Sequence, residues 1–229
     1  MVDIHAHILP FVDDGSSSLE VSIELIREAM DCGVKNQFLT PHFMKTRNFL
    51  SVAEENQKVF QSFKETIKQR GWDINLYLGN EIYYSIDVLE SLRKKHILPL
   101  GNSNKVLIEF SLSEMLEDMP EAVHNISSLG YVPVIAHVER YSYLNRLDDI
   151  KILRRMGAMI QVNASSIVGL SGKTQQAKAM KMIKLNDVDF VASDVHASRL
   201  NHMKQAYALV LKKFGRDMAE RIFNNQSVL

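Results

Sequence analysis

MVDIHAHILPFVDDG, residues 1–15, decides between the two folds that the rest of the chain allows. Val2 to His5 reads as a first strand, and in a doubly wound dinucleotide fold a glycine-rich phosphate-binding turn would follow it at once. The chain instead runs HAHILPFVDDG, residues 5–15, with a single glycine at its end. That absence favours a TIM-like barrel.

Outward from this stretch, short β-branched or apolar runs recur: MVDIH (1–5), QFLTPH (37–42), INLYLGNE (74–81), KVLIEF (105–110), VPVIAH (132–137), AMIQVN (158–163) and VDFVASD (188–194), seven in all. Segments of helical period lie between them. In LEVSIELIREAMDCG (19–33), Leu19, Ile23, Ile26 and Met30 recur at three- and four-residue steps and Gly33 suits a C-terminal stop. Residues 51–70, 86–96, 114–129, 147–156, 173–186 and 199–214 read likewise. No Pro/Gly/Ser-rich linker or internal repeat interrupts the alternation, which predicts one domain over residues 1–229 with a parallel sheet and about seven strand-helix units.

Lys plus Arg and Asp plus Glu number 27 each in the 229 residues, so the chain lacks the broad basic field of a nucleic-acid or anionic-membrane binder. It has neither an apolar run of 18 residues nor a secretory leader, and its one cysteine, Cys32, excludes an internal disulfide. The expectation is a soluble, cytoplasmic protein without membrane insertion.

The residues that close the strand runs carry the chemistry: His5 and His7, His42, Glu81, Glu109, His137, then Asp194 and His196. In a barrel of parallel strands the C-terminal ends converge on one face, so ligands scattered along the sequence meet in space. His5 and His7, two apart on a strand, point to one side and can hold one ion. Any one of these histidines is more often an ordinary hydrogen-bonded residue; the recurrence at strand ends reverses that. Glu81 and Glu109 follow apolar runs, where a buried carboxylate needs a compensating charge. Asp13 and Asp14 fit a turn with Gly15, and Asp3 suits a supporting or structural role. His96 and His124 read as surface or packing residues, and His202 as a helical residue that is not a ligand, with a role at the site's edge near Arg199 as the alternative. A donor set of His, Asp and Glu without thiolate suits zinc, manganese or iron. The set is too large for one ion, and two or three metals sharing carboxylates suit phosphoester hydrolysis.

HAH (5–7), PH (41–42), NEIYY (80–84), IEF (108–110), AHVERY (136–141) and SDVH (193–196) together resemble the polymerase and histidinol phosphatase (PHP) superfamily. VDDG (12–15), EIYY (81–84) and HVERY (137–141) narrow the resemblance to the CpsB/CapC bacterial tyrosine phosphatases. It runs from residue 2 to about residue 225 and implies a distorted (β/α)7 TIM-like barrel with a metal cluster at the C-terminal strand ends. By that resemblance His5, His7, Glu81 and Asp194 hold one metal, Asp14, His42 and His196 a second, and Glu81 bridges to a third held with Glu109 and His137. The resemblance thus selects Asp14 over Asp13. It also makes Arg140 and Arg199 the phosphate-binding arginines and manganese the preferred ion, with iron or zinc as alternatives. A gap is needed to align Arg199, because the stretch after His196 is short.

The implied reaction is hydrolysis of phosphotyrosine by metal-held hydroxide, on the tail of a tyrosine kinase that controls capsule or exopolysaccharide synthesis. The phenol leaving group, with a pKa of about 10, needs only modest acid assistance. Cysteine-dependent chemistry would place an arginine six positions after the nucleophile, where Cys32 is followed by Phe38. Two other readings are a PHP phosphoesterase acting on histidinol phosphate or a nucleic-acid end, and a non-catalytic metal-stabilised phosphopeptide-binding module. FMKTRNF (43–49) offers Lys45, Arg47, Phe43 and Phe49 to an acidic tail or is an ordinary loop, and Tyr141 and Tyr143 either line the pocket or pack in the core.

Overall fold

The computed structural model describes residues 1–50, 52–115, 118–144 and 146–229. Ser51, expected to open the second helix, and Leu116 and Glu117, expected in the fourth, lie outside the described residues. The strands are β1 (Val2–Asp3), β2 (Asn36–Leu39), β3 (His42–Phe43), β4 (Asn75–Leu78), β5 (Glu81–Tyr83), β6 (Lys105–Glu109), β7 (Val132–Ile135), β8 (Met159–Asn163) and β9 (Phe190–Ala192). All their pairings are parallel. The helices are α1 (Leu19–Asp31), α2 (Ala53–Gln69), α3 (Val88–Arg93), α4 (Met119–Ser128), α5 (Leu147–Arg155), α6 (Ala164–Ile167), α7 (Lys173–Lys184), α8 (Met203–Phe214) and α9 (Arg216–Phe223).

Among the described residues the nine strands occupy seven positions, because β2 with β3 and β4 with β5 are broken halves of two of the expected runs. The first break falls at Thr40–Pro41, where proline has no N–H for a ladder. The second falls at Gly79–Asn80, where a Cβ on Gly79 would lie 3.1 Å from Pro99 O. Pairing continues across both breaks, as Gly79 N donates to Leu39 O at 3.0 Å and Glu81 N to Pro41 O at 3.2 Å.

The two sheets run β1-β2-β4 and β3-β5-β6-β7-β8-β9. Just beyond β1 and β9 the circuit closes: Ala6 bridges to Val195, His7 N donates to Val195 O and Asp194 N to His5 O, each at 2.9 Å. Val2, Ile4, Phe38, Leu107, Val134, Ala136, Phe190 and Ala192 meet in one buried cluster. Side chains from so many strands of a parallel ring can meet only in its interior. In β6 the residue two beyond Leu107 is Glu109, so period-two alternation carries an acidic group to the inner face at the strand end; Asp194 follows just past the end of β9. The opposite faces, with Val106, Ile108, Ile135 and Ile160, pack on the helices in a larger cluster.

The helical expectations change at three places, and the first is the segment 114–129, which among the described residues becomes helical only at Met119 with Asp118 as its N-cap. The segment 199–214 becomes helical only at Met203, because Asn201 Oδ1 accepts from Met203 N and leaves Arg199 and Leu200 in a loop. α6 and α9 lack a counterpart in the sequence reading; α6 is too short for a periodic signal, and α9 is set off from α8 by Gly215 at φ 87°.

Candidate metal centre

The structure brings His5, His7, Asp14, His42, Glu81, Glu109, His137, Asp194 and His196 to one site at the strand ends. His5, His7 and Glu81 have ligand atoms within 4.8 Å of one another, as do His7, Asp14, His42 and His196, and His42, Glu81 and Glu109. Glu81 is the hub: its Oε1 lies 3.2 Å from His5 Nε2 and 3.1 Å from His137 Nε2, and its Oε2 lies 3.2 Å from His7 Nε2 and 2.9 Å from His42 Nδ1. His137 Nε2 is also 3.4 Å from Glu109 Oε1. Asp194 Oδ1 faces His5 at 3.6 Å, with His7 and His196 at 3.7 Å. Asp14 reaches His42 at 3.5 Å and His196 at 3.9 Å and is the most exposed of the nine.

Backbone strain helps to aim two of these groups. His137 and Asp194 have φ of 33° and 51°, left-handed values that cost a non-glycine residue about 1–3 kcal/mol each. Both sit where a strand's ladder ends and the side chain turns into the site.

Residues behind the imidazoles decide which nitrogen faces inward. Asp13 Oδ2 accepts from His7 Nδ1 at 2.8 Å and from His42 N at 2.9 Å, and Asp13 Oδ1 accepts from Gly15 N at 3.0 Å. Gln161 Oε1 accepts from His137 N at 2.8 Å and faces His5 Nδ1 at 3.2 Å, while its Nε2 donates to Asn163 Oδ1 at 2.8 Å. An amide oxygen only accepts, so His5 carries its proton on Nδ1. His5 Nε2 and His7 Nε2 therefore point at each other across 3.2 Å with Glu81 beside both. His196 Nδ1 faces Asp194 O at 3.1 Å and so donates to it, leaving Nε2 toward Asp14.

This cage fits divalent cations. Acceptor atoms converge, and buried His42 Nδ1, Glu109 Oε2 and His137 Nδ1 have no hydrogen-bond partner among the described residues. His42 Nδ1 is close to Glu81 but lacks hydrogen-bond alignment. Burial opposes ionisation of Glu81, yet His5, His42 and His137 hold its carboxyl well below the ordinary range. Asp194 is lowered in the same way against its burial, and Asp13 sits at about 2 beside His7. Burial pulls His137 down, but Glu109 and Glu81 hold it at about 10. His7 is likewise raised against its burial by Asp13 and Glu81. Burial and the neighbouring His7 keep His196 near 4, neutral with a free lone pair. The field that draws protons onto His7 and His137 is the field a cation would satisfy, so cation binding releases protons.

Asp194 also faces outward. Its Oδ2 accepts from Asn163 Nδ2 at 2.8 Å, from Arg140 Nη1 at 3.2 Å and from Arg199 Nη1 at 3.3 Å. Both predicted arginines thus rest on one carboxylate, at the edge of a cavity of about 800 Å³ that Asp194, Arg140 and Arg199 line together with His202. Across the centre, Arg47 lies 3.5 Å from Asp14 and the Phe49 ring stacks on His42, with centroids 5.7 Å apart. FMKTRNF is therefore a wall of the centre, while its Lys45 pairs with Asp87 at 3.2 Å.

The other candidates fall outside the ligand groups. Asp3 is buried and ties the ends of the ring together, accepting from Ser193 N at 3.0 Å. Tyr141 is buried with its hydroxyl accepting from Phe110 N at 3.1 Å, and Tyr143 donates to Ser111 O at 2.9 Å, so both support the loop after β6. His96 and His124 are exposed. Cys32 is buried against Asn201 O, and burial pushes its thiol up, opposite to a nucleophile. The sequence reading missed Gln161 and Asn163. Their signal is the run AMIQVN, whose two polar residues share one strand face where the other runs end in ionisable ones.

A family model for "Capsular polysaccharide synthesis, CpsB/CapC" matches residues 1–229. The chain is similar to the tyrosine-protein phosphatase CpsB of Streptococcus agalactiae, at 35% identity over 100% of this chain and 98% of the relative. It is 36% identical to CpsB of Streptococcus pneumoniae over 97% and 95% of the two chains, and 31% identical to the tyrosine-protein phosphatase YwqE of Bacillus subtilis over 100% and 91%. Among solved structures, it superposes with a TM-score of 0.89 at 28% identity, covering 100% of this chain and 96% of the other, on one from crystal structures of YwqE from Bacillus subtilis and CpsB from Streptococcus pneumoniae, described as unique metal-dependent tyrosine phosphatases. A chain in archaeal ribonuclease P shares the fold alone, with a TM-score of 0.58 at 15% identity, covering 97% of this chain and 86% of that one.

Proposed function

Because the chain belongs to the CpsB/CapC family over residues 1–229, we propose that it removes phosphate from tyrosine at the metal centre beside Arg140 and Arg199. It is a metal-dependent tyrosine phosphatase of the CpsB type, linked to capsular polysaccharide synthesis. The observation that carries the residue-level reading is the double use of Asp194, whose Oδ1 faces three histidines while its Oδ2 holds both arginines.

On this reading His5, His7, Glu81 and Asp194 hold one divalent ion and Asp14, His42 and His196 a second. Glu109 and His137 share a third with Glu81. Manganese is the preferred ion, and iron or zinc suits the same nitrogen and oxygen donors. Such ions supply Lewis acidity toward the phosphoryl oxygens and toward the attacking water.

The chain's own residues bind and orient the substrate. Arg140 and Arg199 leave Asp194 Oδ2 for the phosphoryl oxygens, to which a planar guanidinium binds bidentately. Seated on the phosphoryl oxygens, they meet charge as it grows in the transition state. Asn163 stays on Asp194 Oδ2, so that carboxylate keeps a donor when the arginines move. Asp13 and Gln161 hold His7 and His5 in the tautomers that face Glu81.

The substrate on this reading is the phosphotyrosine tail of a capsule-regulating tyrosine kinase, met in the cytoplasm, with Arg47 positioned for acidic neighbours of the tyrosine. No helix among the described residues is long and apolar enough to cross a membrane. A ring that draws strands from both ends of the chain supports residues 1–229 as one PHP-type barrel domain.

Metal analysis beside turnover of a phosphotyrosine peptide tests the assignment. His5→Ala and Glu109→Ala should lose metal and activity together. Arg140→Ala should keep its metal and lose about 10²–10³-fold in kcat/KM. Metal loss in Arg140→Ala would refute its role.

A further inference from the structure

The cavity over Arg140, Asp194 and Arg199 has apolar residues that phosphate binding does not use. Leu112, Leu170 and Leu200 line it from three separate segments, after β6, after α6 and after β9. Leu170 is 65% exposed and Leu200 68%. Single exposed leucines are ordinary on protein surfaces. Three in one cavity, next to two guanidinium groups, are not ordinary.

The segments that carry them are anchored. Leu112 O accepts from Ser142 N at 2.9 Å, and Leu170 N donates to Ser165 O at 2.9 Å. Asn201, next to Leu200, is buried, with its N–H donating to Glu28 Oε1 at 2.8 Å and its Oδ1 accepting from Met203 N at 3.0 Å. That anchoring turns Asn201 inward and leaves Leu200 standing in the cavity.

We propose that Leu112, Leu170 and Leu200 form an aryl subsite that receives the phenyl ring of phosphotyrosine while its phosphate lies against Arg140 and Arg199. The inference rests on the phosphatase reading above and adds the source of its preference for tyrosine. A phosphotyrosine carries a rigid apolar ring between the phosphate and the backbone, and burying that ring against three aliphatic side chains is favourable. Phosphoserine has one methylene at the same depth and gains almost nothing there.

The test is calorimetric binding of benzylphosphonate and methylphosphonate, non-hydrolysable anions with and without a ring, to the manganese-loaded protein. Wild type should bind benzylphosphonate more tightly. The Leu170→Ser, Leu200→Ser double variant should bind benzylphosphonate about tenfold more weakly, equivalent to about 1.4 kcal/mol, with methylphosphonate within about twofold of wild type. Leu200→Met, which keeps apolar volume, should retain the preference. Equal weakening of both ligands, weakening of neither, or no ring preference in wild type overturns the subsite. Failure of wild type to hydrolyse a phosphotyrosine peptide overturns the phosphatase reading instead, and the binding comparison stands independently of turnover.

Discussion

Asp13 and Gln161 act behind the candidate ligands, and each has two jobs. Asp13 accepts from the His7 ring and also from the backbone N–H of His42 and Gly15, so one carboxylate sets an imidazole and the loop around it. Gln161 accepts from the His137 backbone while facing the His5 ring, and Asn163 prevents its amide from flipping. Groups that orient a ligand in this way are typically worth 10–100-fold in metal affinity. Asp13→Ala and Gln161→Ala should therefore each weaken manganese binding by about that factor in calorimetric titration, with the circular dichroism of the fold retained. Unchanged affinity would show that the rings hold their orientation unaided. Cys32 gives the opposite expectation. With its thiol buried against Asn201 O, Cys32→Ser should keep turnover within about twofold, since packing rather than nucleophilicity is its role; an inactive variant would refute metal-based chemistry.

Between β1 and α1 the chain makes a tight loop on which the centre depends. A Cβ at Gly15 would lie 2.2 Å from His7 O and 2.3 Å from His7 Cβ, so any side chain there displaces His7 or the loop that carries Asp14. Gly15→Ala should cost about 2 kcal/mol or more. For a chain of this length that lowers the melting temperature by about 4–8 °C, and turnover should fall further than stability, because the backbone displaced belongs to a candidate ligand. A thermal scan and an assay on the same preparation check both. The other loops divide similarly: FMKTRNF closes one side through Phe49 on His42 and Arg47 by Asp14, and residues 199–202 close the other through Arg199 on Asp194. A helical reading of 199–202 failed because Asn201, buried in the fold just ahead of α8, takes the Met203 N–H on its Oδ1, a bond that periodicity does not reveal.

At the scale of the whole molecule, the centre couples metal, protons and stability. Ions at about 100 times their dissociation constant add roughly 2.7 kcal/mol, so chelation should lower the melting temperature by about 5–10 °C. The difference should depend on pH with a definite sign. His137 at about 10 and His7 above its ordinary value are raised groups, so the stability they lend the metal-free protein is full below about pH 6.5 and lost as pH rises toward 10. Metal replaces those protons, so the gap between loaded and chelated protein should widen between about pH 6.5 and 8.5. A gap that narrows would contradict the assignment of His7 and His137 to the cation cage. The strand-helix alternation, the absence of a glycine fingerprint after β1 and the ionisable residues closing the runs were all legible in the order of residues, because strand period and strand-end position are local properties. So was the candidate donor set apart from Asp14, since a parallel barrel collects its C-terminal strand ends whatever the loops do; Asp14 lies in the loop between β1 and α1, and only the family resemblance selected it over Asp13. Only the tertiary structure decided that Glu81 is the hub, that Asp13 serves His7 from behind, that Gln161 and Asn163 complete the one strand end without an ionisable group, and that Arg140 and Arg199 share Asp194. Those relations depend on distances of about 3 Å between residues as much as 156 apart in sequence, and no local periodicity records which atoms meet when the ring closes.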